Sequence, residues 1–403
     1  MTQPAGAQAD WFRPLAAMLL VQVTSAFLSR LVPTIAPVLQ DERGISESLI
    51  GYLAGFATVG SILFLLAGGP MMRRLGPVRS LQWGLIASGL GIALIAAPQT
   101  AALFVGMVFV GLGYGPSAPA GTDVLQRYAP AQHRSLIFSI KQAGVPLGGV
   151  IAGLALPAIV AVFDWRYCLV FAALVVAASV LAVQPMRAAI DAGRDTSQTV
   201  ALSAFLSWSN IMAPLRTVFA SPAVARIGMT GSTLAITQGA WFAFLVTFLV
   251  SEAGLSLTQA GFLFAVMQAT GIPGRILLGY IADRAKSGRV TLMLVGVVSA
   301  LTSLALALIK PGLPMPLLIA FFAVAGVTVS SWNGVQLAEV ARLSPRAALQ
   351  DTSSGATVLI FLGYVVGPAG FAFLQQVSGS FTPGLVAIAV LALCGSAVLA
   401  RTR

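Results

Sequence analysis

Charged residues are scarce in this chain. Only 9% of its 403 residues are Asp, Glu, Lys or Arg, against roughly 25% in soluble domains, which excludes an ordinary soluble protein. Cysteine is almost absent: Cys168 and Cys394 both lie in apolar runs, so neither a disulfide framework nor a metal-ligand spacing is present. The single histidine, His133, sits in a basic loop and leaves zinc without a ligand set. No Walker-type phosphate loop occurs, which argues against direct drive by ATP. A membrane-embedded enzyme would need clustered carboxylates, histidines or a nucleophile at a lipid interface. Asp10, Asp41, Glu42 and Glu252 are scattered instead. No cofactor is expected.

What the chain has in abundance is apolar sequence, 58% of all residues. Apolar stretches of about 20 residues recur along its whole length, each long enough to cross a hydrocarbon core of ~30 Å as a helix. Helices are required because lipid offers no partners to backbone polar groups, and the ten-residue alternation of an outer-membrane barrel is missing. Twelve spans are placed at 14–38, 47–69, 78–97, 101–126, 134–162, 165–184, 222–250, 257–281, 290–309, 315–341, 352–377 and 381–400. The fold class is an all-α polytopic membrane protein. One long polar connection, 185–221, carries an amphipathic piece at Phe205–Phe219 and divides the chain into six-span halves, 1–184 and 222–403. The polar stretch Met1–Asp10 precedes an apolar run too long for a signal-peptide core, which reads as an uncleaved first span.

The formal net charge of +11 is distributed as membrane orientation requires, not as a nucleic-acid-binding face. With the N-terminus inside, seventeen basic residues fall in inner loops, among them Arg13, Arg127, Arg134, Arg187, Arg194, Arg216, Arg226, Arg342, Arg346, Arg401 and Arg403. Only three fall outside: Arg43, Arg166 and Lys310. Both termini are therefore expected in the cytoplasm, with the protein a monomer in a bacterial-type inner membrane. Trp11, Trp83 and Trp165, near span ends, are expected as interfacial anchors.

Between the apolar runs 257–281 and 290–309 lies a charged knot, Gly279-Tyr280-Ile281-Ala282-Asp283-Arg284-Ala285-Lys286-Ser287-Gly288-Arg289. A damaged copy, Gly69-Pro70-Met71-Met72-Arg73-Arg74 through Arg79, lies 210 residues upstream and aligns without gaps. The end of span four, Asp123–Arg127 with Pro130 and Arg134, echoes Glu339–Arg342 with Pro345 and Arg346 at the end of span ten. Span five carries Gly144-Val145-Pro146-Leu147-Gly148-Gly149, and span eleven Gly363-Tyr364-Val365-Val366-Gly367-Pro368. In these motifs and their order the chain resembles the major facilitator superfamily, in particular its organic-anion- and carboxylate-transporting branches. The resemblance implies two six-helix bundles and alternating access around a central site. It also implies an electrostatic latch at the inner face, an acid facing a helix N-terminus in the other half. Asp283 supplies that acid in the second copy, with Arg284 and Arg289 beside it. In the first copy Arg73 replaces the acid, beside Arg74 and Arg79, and Asp351 stands where the partner helix begins. A charge-swapped latch, Arg73 to Asp351, follows as an expectation. Met107 occupies the place of an arginine found in many proton-coupled members, which puts antiport by that route in doubt.

Three basic residues lie inside spans, and intramembrane charge marks function by default. Arg30 precedes Pro33 and Pro37 in span one; Arg275 follows Pro273 in span eight. Both resemble substrate-contacting arginines of anion-transporting branches, and a guanidinium fork suits a carboxylate. The plainer alternatives are an Arg30 that snorkels or pairs with Glu47 or Asp41, and an Arg275 tied to backbone carbonyls. Lys141 in span five is expected to pair with Asp123, a pair able to gate the inner mouth. The glycine motif of span five is expected to serve helix packing. Gln22, Tyr114, Gln238, Trp241, Gln268, Trp332, Asn333 and Gln336 are candidates to line a cavity, each with a helix–helix hydrogen bond as its alternative.

The resulting expectation is a secondary transporter of a small organic anion, with a proton or counter-anion as coupled partner and Asp123 and Glu339 as titratable acids. A multidrug proton antiporter is the alternative, and it would require an acid near the midplane that the chain lacks.

Overall fold

A computed structural model describes residues 11–130, 134–197, 208–344 and 349–400. Among the described residues there are helices and no strand. In chain order they are α1 (Phe12–Arg43), α2 (Glu47–Ala67), α3 (Gly69–Leu75), α4 (Pro77–Leu94), α5 (Thr100–Tyr114), α6 (Ser117–Tyr128), α7 (Arg134–Gln142), α8 (Gly144–Val162), α9 (Arg166–Val183), α10 (Arg187–Ile190), α11 (Trp208–Phe219), α12 (Pro222–Ser251), α13 (Leu257–Arg284), α14 (Gly288–Leu306), α15 (Met315–Thr328), α16 (Asn333–Leu343), α17 (Leu349–Ser378) and α18 (Thr382–Ala400). Among the described residues, eleven helical stretches are long and apolar enough to cross a membrane. Span three is α4, 18 residues long.

Several spans depart from the expected single helices. Span one is longer than expected and runs unbroken through Pro33 and Pro37. Span four breaks between α5 and α6 at Gly115-Pro116, and span ten breaks between α15 and α16 over residues 329–332. Span five is interrupted at Ala143, between α7 and α8. Within the described residues, the linker's amphipathic piece is a helix, α11.

By packing, the chain forms two compact units: Met1–Ser29, Gly60–Gly148 and Arg166–Leu206 in the first, and Arg30–Val59, Gly149–Trp165 and Ser207–Arg403 in the second. This division follows contacts and passes through α1, α2 and the span-five region, whereas the six-plus-six division follows the chain.

In the first unit α4 packs on α5 and α9. Small residues make the α4–α5 crossing close: Gly91 and Gly106 each press on the other's carbonyl, and Ser88 Oγ donates to Val110 O at 3.1 Å. The start of the linker is fastened to this unit. Asp191, fully buried, accepts the backbone N–H groups of Val78 and Arg79 at 2.8 and 3.0 Å, capping the N-terminus of α4. Arg187 Nε lies 3.9 Å from the same carboxylate. Arg127 donates to Ile190 O at 3.1 Å, and the Asp195 N–H donates to Arg73 O at 2.9 Å. The sequence marks Asp191 only as a linker residue.

In the second unit α12 packs on α17 and α18, and α13 on α15. At the ends remote from the motif loops, α2 and α8 join this packing. Gly51 sits against the Phe244 ring and the Pro368 carbonyl, and Gly153 against the Gly261 carbonyl. Gln375 donates to Glu47 at 2.8 Å, and Tyr52 to Gln376 at 3.3 Å. Trp165 is only 1% exposed and donates to Glu42 at 2.7 Å. It is therefore a buried strut rather than the interfacial anchor that its place at a span end suggests, with its indole bonded to the exposed Glu42 carboxylate.

Gly76 holds φ +86°, and a Cβ there would fall onto the Asp191 carboxyl group. Gly76→Ala is expected to destabilise by ~2–3 kcal/mol through backbone strain and loss of the cap, read as a thermal midpoint several degrees lower in purified protein. An unchanged midpoint would show that Asp191 does not hold this turn.

Candidate functional site

The two broken spans gather most of the polar residues singled out from sequence. In the second unit Tyr364 on α17 is the hub: its hydroxyl donates to Gln238 Oε1 at 2.6 Å and accepts from Asn333 Nδ2 at 3.2 Å. Gln238 Nε2 donates to the Ser330 carbonyl inside the span-ten break at 3.3 Å, and Ser330 Oγ donates to Gln268 Oε1 at 3.4 Å. The Gln268 amide rests on Gly149, where a methyl group would collide with it. This site joins spans seven, eight, ten and eleven. Its members Gln238 and Gln268 are buried, and Asn333 and Tyr364 are half-buried.

Buried polar atoms without partners accompany it. Gln268 Nε2, both amide atoms of Gln336 and the Trp332 indole nitrogen make no hydrogen bond among the described residues. Orphaned buried donors are rare in folded proteins and point to a guest or a second arrangement of the helices. Trp241 lies elsewhere. Its indole donates to Ser303 Oγ at 2.9 Å, and its ring packs on Phe321 and Phe322, away from the Gln238–Tyr364 cluster.

Arg30 is half-buried and lies over the Phe242 ring, 4.2 Å from its centroid. Phe242 is one turn along α12 from Gln238, and its edge-to-face partner Phe264 is one turn along α13 from Gln268. Arg275, also half-buried, follows two turns further along α13. Helical rise between Phe264 and Arg275 separates the two arginines by ~16 Å in depth.

The first unit carries a matching cluster. Gln22 on α1 accepts from Ser117 Oγ at 2.9 Å and donates to the Tyr114 hydroxyl at 3.4 Å, across the break in span four. Lys141, 4% exposed, donates to the Ser117 carbonyl at 3.1 Å and to Gln142 Oε1 at 3.4 Å. The expected Lys141–Asp123 pair does not form. Asp123 is exposed and bonds Arg127 one turn along α6 at 2.8 Å, whereas the lysine turns inward to the break. Gly121 makes this turn possible, since a side chain there would meet Lys141 Cε.

The motif loops lie apart from these clusters. Arg73, Arg74, Asp283 and Arg284 are exposed. Arg79 reaches Gln82 at 3.2 Å, and Arg289 reaches the Ala400 carbonyl at 3.5 Å. Glu339, 4% exposed, binds Arg342 through both oxygens and sits against the backbone of Gly288. The Asp351 side chain and residues Pro345 and Arg346 lie outside the described residues, as do His133 and Asp10. Gly148 presses on the α1 backbone, which fits the packing role expected of the span-five motif.

Sequence reasoning passed over Ser117, Ser330, Tyr364 and Phe242. Tyr364 stood in the span-eleven motif given only as a repeat, and Ser330 two residues before the candidate Trp332. Nothing local distinguishes Phe242 from its apolar neighbours.

A bundle of apolar helices with paired, broken fourth spans defines a polytopic helical membrane protein with internal repeats. Residues 18–368 match the sequence profile of the Major Facilitator Superfamily, and the chain belongs to that family. It is 26% identical over 320 residues to an uncharacterized MFS-type transporter of Mycobacterium tuberculosis (strain ATCC 25618 / H37Rv), covering 75% of this chain and 66% of the relative. It is 24% identical over 274 residues to the 4-hydroxybenzoate transporter PcaK of Pseudomonas putida, covering 62% of this chain and 61% of that one. To the gallate transporter of Pseudomonas putida it is 26% identical over 317 residues, 70% of each chain. The match thus spans just under two thirds of the first two relatives. Among solved structures, a bacterial homologue of the human lysosomal transporter Spinster superposes with a TM-score of 0.75 at 18% identity, covering 98% of this chain and 97% of the other. A POT family transporter superposes at 0.77 with 13% identity, covering 96% and 95%. These likenesses establish the fold.

Tyr364→Phe removes the hydroxyl that links Gln238 to Asn333. A loss of ~1 kcal/mol is expected, measured as a lower thermal midpoint in detergent. Full stability would mean that the two amides pair without it.

Proposed function

We propose that this protein is a secondary transporter, not an enzyme, that moves a small organic anion across a bacterial-type inner membrane by alternating access between its halves 1–184 and 222–403. The observation that carries the proposal is Arg30, a cation within span one that lies on the Phe242 ring one turn from the Gln238–Tyr364–Asn333 cluster. A guanidinium stays charged at every physiological pH, and intramembrane charge marks a substrate path. The amide and phenol groups beside it suit the hydroxyls of a hydroxylated acid. The names of two relatives, a gallate and a 4-hydroxybenzoate transporter, support that class.

Arg275, deeper along α13, receives the anion in a later state of the cycle. Gln268, Trp332 and Gln336, with buried donors lacking partners, are the groups that change partners during it. The inner loops, with Arg73, Arg74, Arg79, Asp283, Arg284 and Arg289, form the gate on the cytoplasmic side, where both termini lie. Asp351 is the first copy's counter-charge, and Asp123 and Glu339 are the inner acids.

Arg30→Lys and Arg275→Lys should each lower uptake of 4-hydroxybenzoate into proteoliposomes by about tenfold or more at limiting substrate, since a fork-shaped charged contact is lost. Undiminished uptake would remove the substituted arginine from the site. Thermal stabilisation of the purified protein by lipophilic cations and by no carboxylate would overturn the anion assignment in favour of multidrug transport.

A further inference from the structure

We propose that Lys141 and the break in span four form a second binding subsite, in the first unit, for a single carboxylate group. The proposal rests on the reading of the chain as an organic-anion transporter and adds a contact that reading does not contain.

Lys141 lies 4% exposed, and its ammonium reaches the break in the middle of span four. Its printed partners are neutral, the Ser117 carbonyl and the Gln142 amide oxygen. Among the described residues no carboxylate is within ion-pair distance of it, and Asp123 is occupied by Arg127 on the exposed side of α6. Burying a charge is costly unless an opposite charge accompanies it.

The second unit supplies an internal control. There Gln238 performs the same bracing act, donating to the Ser330 carbonyl within the span-ten break. A neutral amide is thus sufficient to hold such a break. The ammonium of Lys141 is surplus to bracing, and an anion is the counter-charge that its neutral partners do not supply. Around it Gln22, Ser117 and Tyr114 provide neutral amide and hydroxyl groups already linked in one chain. One cation with neutral donors matches one negative charge. A dianion such as sulfate would remain uncompensated at low dielectric.

The test is a thermal-shift titration of the purified full-length protein with sodium benzoate, 4-hydroxybenzoate, lactate and gluconate, against chloride and sulfate at matched ionic strength. The variants are Lys141→Gln, which keeps a donor for the Ser117 carbonyl, Lys141→Met and Lys141→Arg. At least one monocarboxylate should stabilise the wild type saturably. Its apparent affinity should fall about tenfold or more in Lys141→Gln and Lys141→Met, and stay within about threefold in Lys141→Arg. If the wild type responds and Lys141→Gln responds with equal affinity, the subsite is disproved while organic-anion transport stands. No response of the wild type to any carboxylate would sink both. Protection by chloride equal to that by carboxylates, and lost with Lys141, would overturn the carboxylate assignment. Should Lys141→Met fail to fold, the Gln and Arg variants decide the matter.

Discussion

Inside a bilayer a polar group finds no water, so each must be satisfied by another helix or by a guest. The arrangement of this protein follows from that constraint. Along apolar spans the backbone satisfies itself, and the few polar side chains become the fixed points at which helices meet. Gln22, Gln238 and Gln268 are such points, each buried on one helix and bonded to another. Where the fourth span of each half breaks, the backbone itself joins in: the Ser117 and Ser330 carbonyls accept bonds from side chains of other helices.

The two clusters share a plan. Each has a glutamine from the first span of its half, a break in the fourth span and a residue from the fifth. They differ in charge, the first containing Lys141 and the second linking only neutral amide, phenol and serine groups.

The motif loops show repetition of another kind. Gly76 and Lys286, aligned in the ungapped repeat, both have positive φ, at 86° and 50°. Each loop leads into a helix whose first turn meets a buried carboxylate, Asp191 at Val78 and Arg79, and Glu339 at Gly288. Glu339 comes from span ten, as the repeat anticipates. Its counterpart Asp123 turns outward to Arg127, and the linker provides Asp191 instead. The α4 N-terminus takes its acceptor from the linker, whereas α14 is capped by its own Ser287, whose Oγ accepts the Val290 N–H at 3.3 Å.

The sequence by itself determined the membrane-spanning class, the repeat, the position of the motif loops between spans and which polar residues lie within spans. These follow from composition and local pattern, because hydrophobic length acts segment by segment. Only the tertiary structure decided partners. It turned Lys141 away from Asp123, set Arg30 on Phe242, made Trp165 and Trp241 struts, broke spans four and ten, and brought Asp191 to the start of α4. Hydrogen-bond partners in a helical bundle come from residues tens to hundreds of positions apart, and spacing along one helix carries no record of the face that the next helix will present.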